Sequence, residues 1–373
     1  MKNDDDTKTV RELGERFVVR SIKDSLAPSD LLLDGVGHDA AFIDLSLGDD
    51  EILVVNTDRS GLNIAYQLGL AGPQCVGDLG VSHAVSDVVA AGGNPRAVTV
   101  ALLLPPDTQM DFVRDVMKGA ERAAARYGAI IAGGDTKQNP KFAMVVTAIG
   151  TARRDKRLPR SNAQPGDFLA VTGYLGSMLL GMIALRGNLE LSSDVRRILE
   201  DALVNQNPPF ELGRAIADAG LANACMDISD GLPGALFAIC SASGVGAIVE
   251  EGSLPVDPAL ESLAEVLDLS PMQLALGGGD WQFLYSIPAN HLVEAEAIAS
   301  QVGARLTVVG KVVAEKLLAA RTREGHCFQL NRIEHDSFAD GPGGHGYFDK
   351  LGMQQRCFGV SIDPHFIEGL LAR

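Results

Sequence analysis

The sequence predicts a two-domain α+β fold, with strands and helices mixed in α/β fashion in both halves. Three observations predict it. The chain has 373 residues, too many for one ordinary hydrophobic core. Strand-like and helix-like apolar patterns alternate on both sides of a polar break. That break, residues 151–166, is basic (Arg153, Arg154, Lys156, Arg157, Arg160) and closes on the turn signal Gln164-Pro165-Gly166-Asp167. The expected organisation is an N-terminal domain over 1–150, a linker over 151–166, a C-terminal domain over 167–331 and a loop-rich tail over 332–373.

The elements follow in order. Residues 13–22 carry a short amphipathic helical pattern. Residues 40–45 and 51–56 read as neighbouring strands around the acidic turn Gly48-Asp49-Asp50. Small and apolar residues recur at helical spacing over 72–91. An aliphatic run over 97–104, closed by Pro105-Pro106, has the signature of a buried strand. Residues 108–127 place Phe112, Val113, Val116, Ala120, Ala123, Ala124 and Tyr127 on one helical face. Strands over 129–132 and 142–149 flank a Gly133-Gly134-Asp135-Thr136 loop. After the linker, a strand over 168–172 runs through Gly173-Tyr174-Leu175-Gly176-Ser177 into an apolar helix. Helices over 211–220, 258–267 and 290–301 then alternate with strands over 246–250, 282–287 and 305–310. The tail from Arg332 is rich in Gly, Asp, His and aromatics.

Composition narrows the function classes. Hydrophobic residues make up 46% and charged residues 21%, the balance of a globular chain. A formal charge of −16 argues against a nucleic-acid surface, which needs clustered Lys and Arg. The five cysteines are odd in number and widely spaced, which suits a reducing cytoplasm better than a disulfide framework. The acidic, polar start does not read as a signal peptide, and no apolar stretch reaches the roughly 18 residues of a membrane helix.

The most informative feature is a set of acidic segments bordered by small residues. They are Gly37-His38-Asp39-Ala40-Ala41, Asn56-Thr57-Asp58, Val85-Ser86-Asp87, Gly133-Gly134-Asp135-Thr136 and Asp227-Ile228-Ser229-Asp230-Gly231-Leu232. Each alone has an ordinary reading, as an Asx turn or a helix cap. Together they offer the oxygen ligands that Mg²⁺ shares with a polyphosphate, which points to ATP chemistry without a P-loop.

Taken with Arg160-Ser161-Asn162-Ala163-Gln164-Pro165-Gly166-Asp167 and Gly277-Gly278-Gly279-Asp280, these segments resemble the thiamine-monophosphate kinase branch of the aminoimidazole-ribonucleotide synthetase superfamily. The resemblance spans roughly residues 12–312. It implies a homodimer in which N-terminal domains pair, and ATP bound in a groove between domains. By position it implies that Asp39, Asp58, Asp87, Asp135 and Asp230 hold Mg²⁺, with Asp135 and Asp230 central to catalysis. Thr57, Gly134 and Ser229 then face the nucleotide phosphates, Gly176 lets backbone approach them or simply makes the strand-to-helix turn, and Arg160 clamps a phosphate. A phosphate acceptor already ionised at neutral pH requires no general base.

Three departures bear on the substrate. His38 stands where the kinase pattern has a first acid, and reads either as a proton-transfer group or as a lost ligand, since imidazole suits Mg²⁺ poorly. The kinase pattern Gly-Glu-Asp-Tyr-Glu is Gly278-Gly279-Asp280-Trp281-Gln282 here. Asp280 and Trp281 are candidate substrate contacts, with a core position as the alternative for the tryptophan. Arg59, next to Asp58, is a candidate for an anionic acceptor, with an ion pair as its alternative. Three functions remain open: a thiamine-monophosphate kinase-like phosphotransferase acting on a small phosphorylated substrate, ATP-dependent carbonyl or amide activation, and a nucleotide-binding scaffold without turnover.

Overall fold

The computed structural model describes residues 17, 20, 29–34, 38–45, 50–331 and 358–372. The expected helix over 13–22 lies largely outside them, as does most of the tail.

The N-terminal half is built on a six-stranded sheet: β1 (Leu32–Leu33), β2 (Ala41–Ile43), β3 (Glu51–Ser60), β4 (Asn94–Leu104), β5 (Ile130–Gln138) and β6 (Ala143–Arg153), in the order β1-β2-β3-β6-β4-β5. All pairs are antiparallel except β4 and β5. The parallel pair needs a crossover, supplied by a helix over Met110–Arg126.

A short helix, α1 (Ile64–Gln67), precedes the central one, α2 (Pro73–Ala90). Of the 18 residues of α2, 14 are buried, because it has no polar face and is covered on all sides. The Met110–Arg126 helix, α3, crosses it where glycines remove side chains. A Cβ on Gly77 would stand 1.8 Å from the Val116 carbonyl oxygen, and one on Gly119 would stand 1.9 Å from that of Gln74.

The C-terminal half carries an eight-stranded sheet: β7 (Phe168–Thr172), β8 (Ala224–Asp227), β9 (Gly246–Glu250), β10 (Phe283–Ile287), β11 (Leu306–Val313), β12 (Leu318–Arg321), β13 (Cys327–Leu330) and β14 (Phe358–Ile362). Its order is β14-β13-β12-β9-β11-β7-β10-β8. The longer helices are α4 (Ser177–Arg186), α5 (Ser193–Val204), α6 (Phe210–Ala219), α7 (Leu232–Ser243), α8 (Glu261–Val266), α9 (Pro271–Ala275), α10 (Leu292–Gln301) and α11 (Pro364–Leu371). One core joins the halves: Val85, Val88 and Val89 of α2 belong to the same buried cluster as Leu212 and Ile216 of α6 and Phe283 and Tyr285 of β10. That shared core fixes α2 against the end of β8.

Two expectations change. Gly133–Thr136 is no loop: after a bulge that shifts the register at Val98–Thr99, β5 continues through it, paired with β4. A Cβ on Gly134 would meet the Val100 carbonyl oxygen at 1.8 Å, so the glycine serves close strand approach rather than a turn. The tail is not wholly loop: β14 extends the second sheet, and α11 buries Ile367 and Leu370 with Ile248, Val313 and Ala319.

Candidate active site

Three carboxylates meet where the halves join. Asp39 precedes β2, Asp87 sits one turn from the end of α2, and Asp227 is the last residue of β8. Each offers an oxygen within 4.8 Å of the others. Asp227 is 2% exposed. Its Oδ1 accepts from the Ser229 hydroxyl at 2.9 Å and its Oδ2 from the Ser86 hydroxyl at 3.3 Å. Asp87 accepts from Asn56 Nδ2 at 2.5 Å, which ties α2 to β3. Arg160 donates from Nε to Asp39 Oδ2 at 3.0 Å and from Nη2 to Oδ1, a bidentate pair.

Gathering acids in a dry place has an electrostatic consequence. Burial, reinforced by Asp39 and Asp230 and opposed by the Ser229 hydroxyl and Arg160, pushes the Asp227 carboxyl up to about 7. Burial, then Asp227, Asp39 and Asp58, holds Asp87 well above its usual range. Burial also raises Asp58, against the pull of the Arg59 amide and charge and with a contribution from Asp230. Asp58 and Asp230 therefore border the same field.

A pH prediction follows for the metal-free protein. Folded Asp227 keeps a proton to about pH 7, whereas its unpaired value is 3.8. The folded state binds more protons between those values, so this stabilising contribution is complete below pH 3.8 and lost as pH rises to about 7. In EDTA the melting temperature is expected to fall from pH 5 to pH 8, with a smaller fall in Asp227→Asn. A melting temperature that stays level or rises over that interval contradicts the proximity of these carboxylates.

The remaining predicted residues sit as follows. Ser229 orients Asp227. His38 has both ring nitrogens engaged: Nδ1 accepts from the Arg160 amide at 3.2 Å, so Nε2–H donates to the Asp34 carbonyl at 3.0 Å. It ties the Asp39 loop to the Arg160 segment. The Arg59 amide donates to Asp58 Oδ1 at 2.6 Å, and Arg59 is exposed. Thr57 is exposed and pairs its hydroxyl with that of Thr147 at 2.9 Å, on the outer face of the first sheet.

Asp135 is not brought to the cluster within the chain. It pairs across the sheet in one row with Ala101, Val145 and Arg59, while Asp58 lies in the neighbouring row with Val146, Val100 and Gly134. Adjacent rows point to opposite faces. Three strand spacings, roughly 14 Å, also separate β3 from β5. Asp135 is exposed and accepts from the Thr136 amide at 2.8 Å.

The segment 276–282 forms the other wall. Asp280 accepts from the amides of Gly176 at 2.7 Å and Met178 at 3.0 Å, occupying the start of α4. Burial raises Asp280 to about 6 against those amides. Gly176 adopts φ +88°, and a Cβ there would meet Leu274 at 2.5 Å. Gly279 sits at φ +78° and donates its amide to the Ser229 carbonyl at 2.8 Å. Gln282 accepts from the Thr172 hydroxyl at 2.8 Å. Trp281, at φ +52°, lies flat on His83 of α2, with ring centroids 3.6 Å apart and planes 9° from parallel. A non-glycine residue held there stores roughly 1–3 kcal/mol of strain. His83 hydrogen-bonds Gln206 Oε1 at 3.1 Å, and burial pushes its pKa down to about 3, so the ring is neutral and Nε2 donates.

Sequence reasoning missed Asp227, Asn56, Ser86 and His83. The signal for Asp227 was present: it ends the apolar run Ala224-Cys225-Met226 and opens the segment already singled out for Asp230.

Residues 37–152 match the model of the AIR synthase related protein N-terminal domain, and residues 164–322 match that of its C-terminal domain. A thiamine-monophosphate kinase of Pyrococcus abyssi is 32% identical over 267 residues, covering 70% of this chain and 79% of the relative. One of Mycobacterium tuberculosis strain H37Rv is 34% identical over 279 residues, covering 74% and 80%. The solved structure "AaThiL complexed with AMPPCP and TMP" matches with a TM-score of 0.74 at 26% identity, covering 88% of this chain and 97% of that one. The chain belongs to the thiamine-monophosphate kinase family of AIR synthase related proteins.

Proposed function

We propose that this chain is an ATP- and Mg²⁺-dependent kinase that transfers the γ-phosphoryl group of ATP to thiamine monophosphate, giving thiamine diphosphate and ADP. The observation that carries the reading is the meeting of Asp39, Asp87 and Asp227 at the junction of the two halves, in a chain of that family. An all-oxygen donor set in which neighbouring carboxylates raise the pKa of Asp87 and Asp227 fits a hard divalent cation. Asp39, Asp87 and Asp227 would hold it, with Asp58 and Asp230 at the margin of the same field. When bound, Mg²⁺ supplies charge neutralisation on the transferring phosphate oxygens.

The chain's own groups prepare that site. Ser86, Ser229 and Asn56 fix the carboxylate oxygens in place. Arg160 offsets the charge of Asp39 and stands beside the cluster as a phosphate-binding guanidinium. Asp135 and Thr57 stand on the outer face of the first sheet, apart from the cluster, while Gly134 lies in the opposite-facing row with Asp58. The acceptor phosphate needs no base to attack, which suits a site where His38 is committed to two backbone contacts.

The outer face of the first sheet carries half-exposed Leu53, Val55, Leu103, Val145 and Ile149, a surface suited to a second copy of the chain as a homodimer. Cys75, Cys225, Cys240 and Cys327 are free and buried, which suits a cytoplasmic location. No helix among the described residues is long and apolar enough to cross a membrane.

The test is ADP release in a coupled assay. Release is expected to require both Mg²⁺ and thiamine monophosphate, and to stop when thiamine replaces its monophosphate. Equal release without acceptor contradicts the proposed transfer.

A further inference from the structure

We propose that the stacked pair His83–Trp281 is a positioning contact that sets the spacing between Asp87 and Asp227, and thereby the affinity of the three-carboxylate site for a divalent cation. The inference rests on the metal-binding part of the reading above and is independent of the acceptor's identity.

Asp87 and Asp227 belong to different halves; the shared core and the Ser86–Asp227 hydrogen bond bring them together, and the contact of α2 with the 276–282 segment sets how far apart they stand within that frame. His83 precedes Asp87 by four residues, which puts both on one face of α2. The imidazole lies at 3.6 Å on the Trp281 indole, and Gln206 fixes the ring's rotation through Nε2 at 3.1 Å. From Trp281 the linkage to Asp227 is short and stiff. The Gly279 amide donates to the Ser229 carbonyl at 2.8 Å, and the Ile228 amide donates to the Gln282 carbonyl at 2.7 Å. These bonds bracket Trp281 on one strand of contact and follow Asp227 immediately on the other.

The two loops also interlock without slack. A Cβ on Gly278 would stand 2.3 Å from the Ser229 carbonyl oxygen, and one on Gly231 would stand 2.5 Å from that of Leu276. A shift of the Trp281 segment therefore carries residues 228–231 with it. Trp281 is held in the left-handed region, where an ordinary core tryptophan has no reason to be. Such a conformation persists only where the surroundings over-determine it, and here the flanking backbone bonds and the stack on His83 act together.

The test uses the full chain without nucleotide, with Mn²⁺ as the probe and free Mn²⁺ read by EPR. His83→Ala is expected to raise the Mn²⁺ dissociation constant about 3- to 10-fold, the size of one aromatic pair contact. His83→Phe, which restores a ring, is expected to stay within about 2-fold of the unmodified chain. Trp281 is the only tryptophan, so its emission reports the same loop independently. Its half-saturation in a Mg²⁺ titration should follow the same order.

Unchanged affinity in His83→Ala, with only a lower melting temperature, overturns the positioning role and leaves a packing contact. Should His83→Ala fail to fold, Gln206→Leu keeps the ring and frees its rotation. It is expected to weaken Mn²⁺ binding about 3-fold, and unchanged binding overturns the proposal. Unmodified protein that binds Mn²⁺ but forms no thiamine diphosphate counts against the transfer reaction alone. Protein that binds no Mn²⁺ overturns the metal reading and this proposal together.

Discussion

Asp227→Asn is expected to lower kcat/KM for Mg-ATP by about 10³-fold while leaving the metal-free protein as stable as before, or more so. A divalent cation contributes several kcal/mol to stabilising a transferring phosphoryl group, and each ~1.4 kcal/mol is tenfold in rate. The substitution is nearly isosteric, and the Ser86 and Ser229 hydroxyls can rotate to meet an amide. It also removes the charge that Asp39, Asp87 and Asp230 oppose. Falling activity with unchanged or rising stability separates a ligand from a core residue, since loss of a core contact lowers both. Steady-state kinetics beside a melting curve in EDTA checks it. Activity within about 10-fold of the unmodified chain contradicts the assignment.

Arg160→Ala is expected to destabilise the metal-free protein by about 3–5 kcal/mol, because it leaves Asp39 buried without its cation. Asp39's side chain is 3% exposed and Arg160's 21%, so solvent screens the pair little. Burial alone lowers the arginine's pKa, yet the charge and hydrogen bonds of Asp39, with Asp227 and Asp87 behind it, keep the guanidinium firmly protonated. Mg²⁺ is expected to restore part of the loss by taking over the neutralisation. Arg160→Lys recovers less than the native residue, since it lacks the two-pronged donor geometry. Urea unfolding with and without Mg²⁺ measures these terms. A variant as stable as the native chain in EDTA contradicts the role of Arg160 in the cluster.

What the sequence disclosed and what it hid have physical reasons. Helix α2 and the strands around it were legible because their periodicity is local. Asp39 and Asp87, which meet Asp227 in the structure, lie in segments where Asp stands beside small residues, and that local pattern is readable in the sequence. Asp227 was assigned to a motif but passed over for Asp230, because its burial depends on pairing with Phe283 far along the chain. Gly133 and Gly134 read as a turn because adjacent glycines usually make one. Only the Val100 carbonyl opposite Gly134 shows that a strand needs the missing side chain.

Asp280, read as a substrate contact, spends its carboxylate on the amides at the start of α4. Trp281, read either as a stacking surface for substrate or as a core residue, has one face covered by His83. In both cases the residue type and its importance were visible, while the partner lay in another element. His38 follows the same rule through its Nδ1, whose partner, the Arg160 amide, lies far along the chain.

The central claim is that carboxylates from both halves serve phosphoryl transfer from ATP to thiamine monophosphate. ³¹P NMR of the full chain with Mg-ATP and thiamine monophosphate tests it most directly. The account predicts the resonances of thiamine diphosphate growing in step with those of ADP, and neither appearing in Asp227→Asn. Inorganic phosphate and ADP without a diphosphate product, or an unchanged thiamine monophosphate signal, would contradict it.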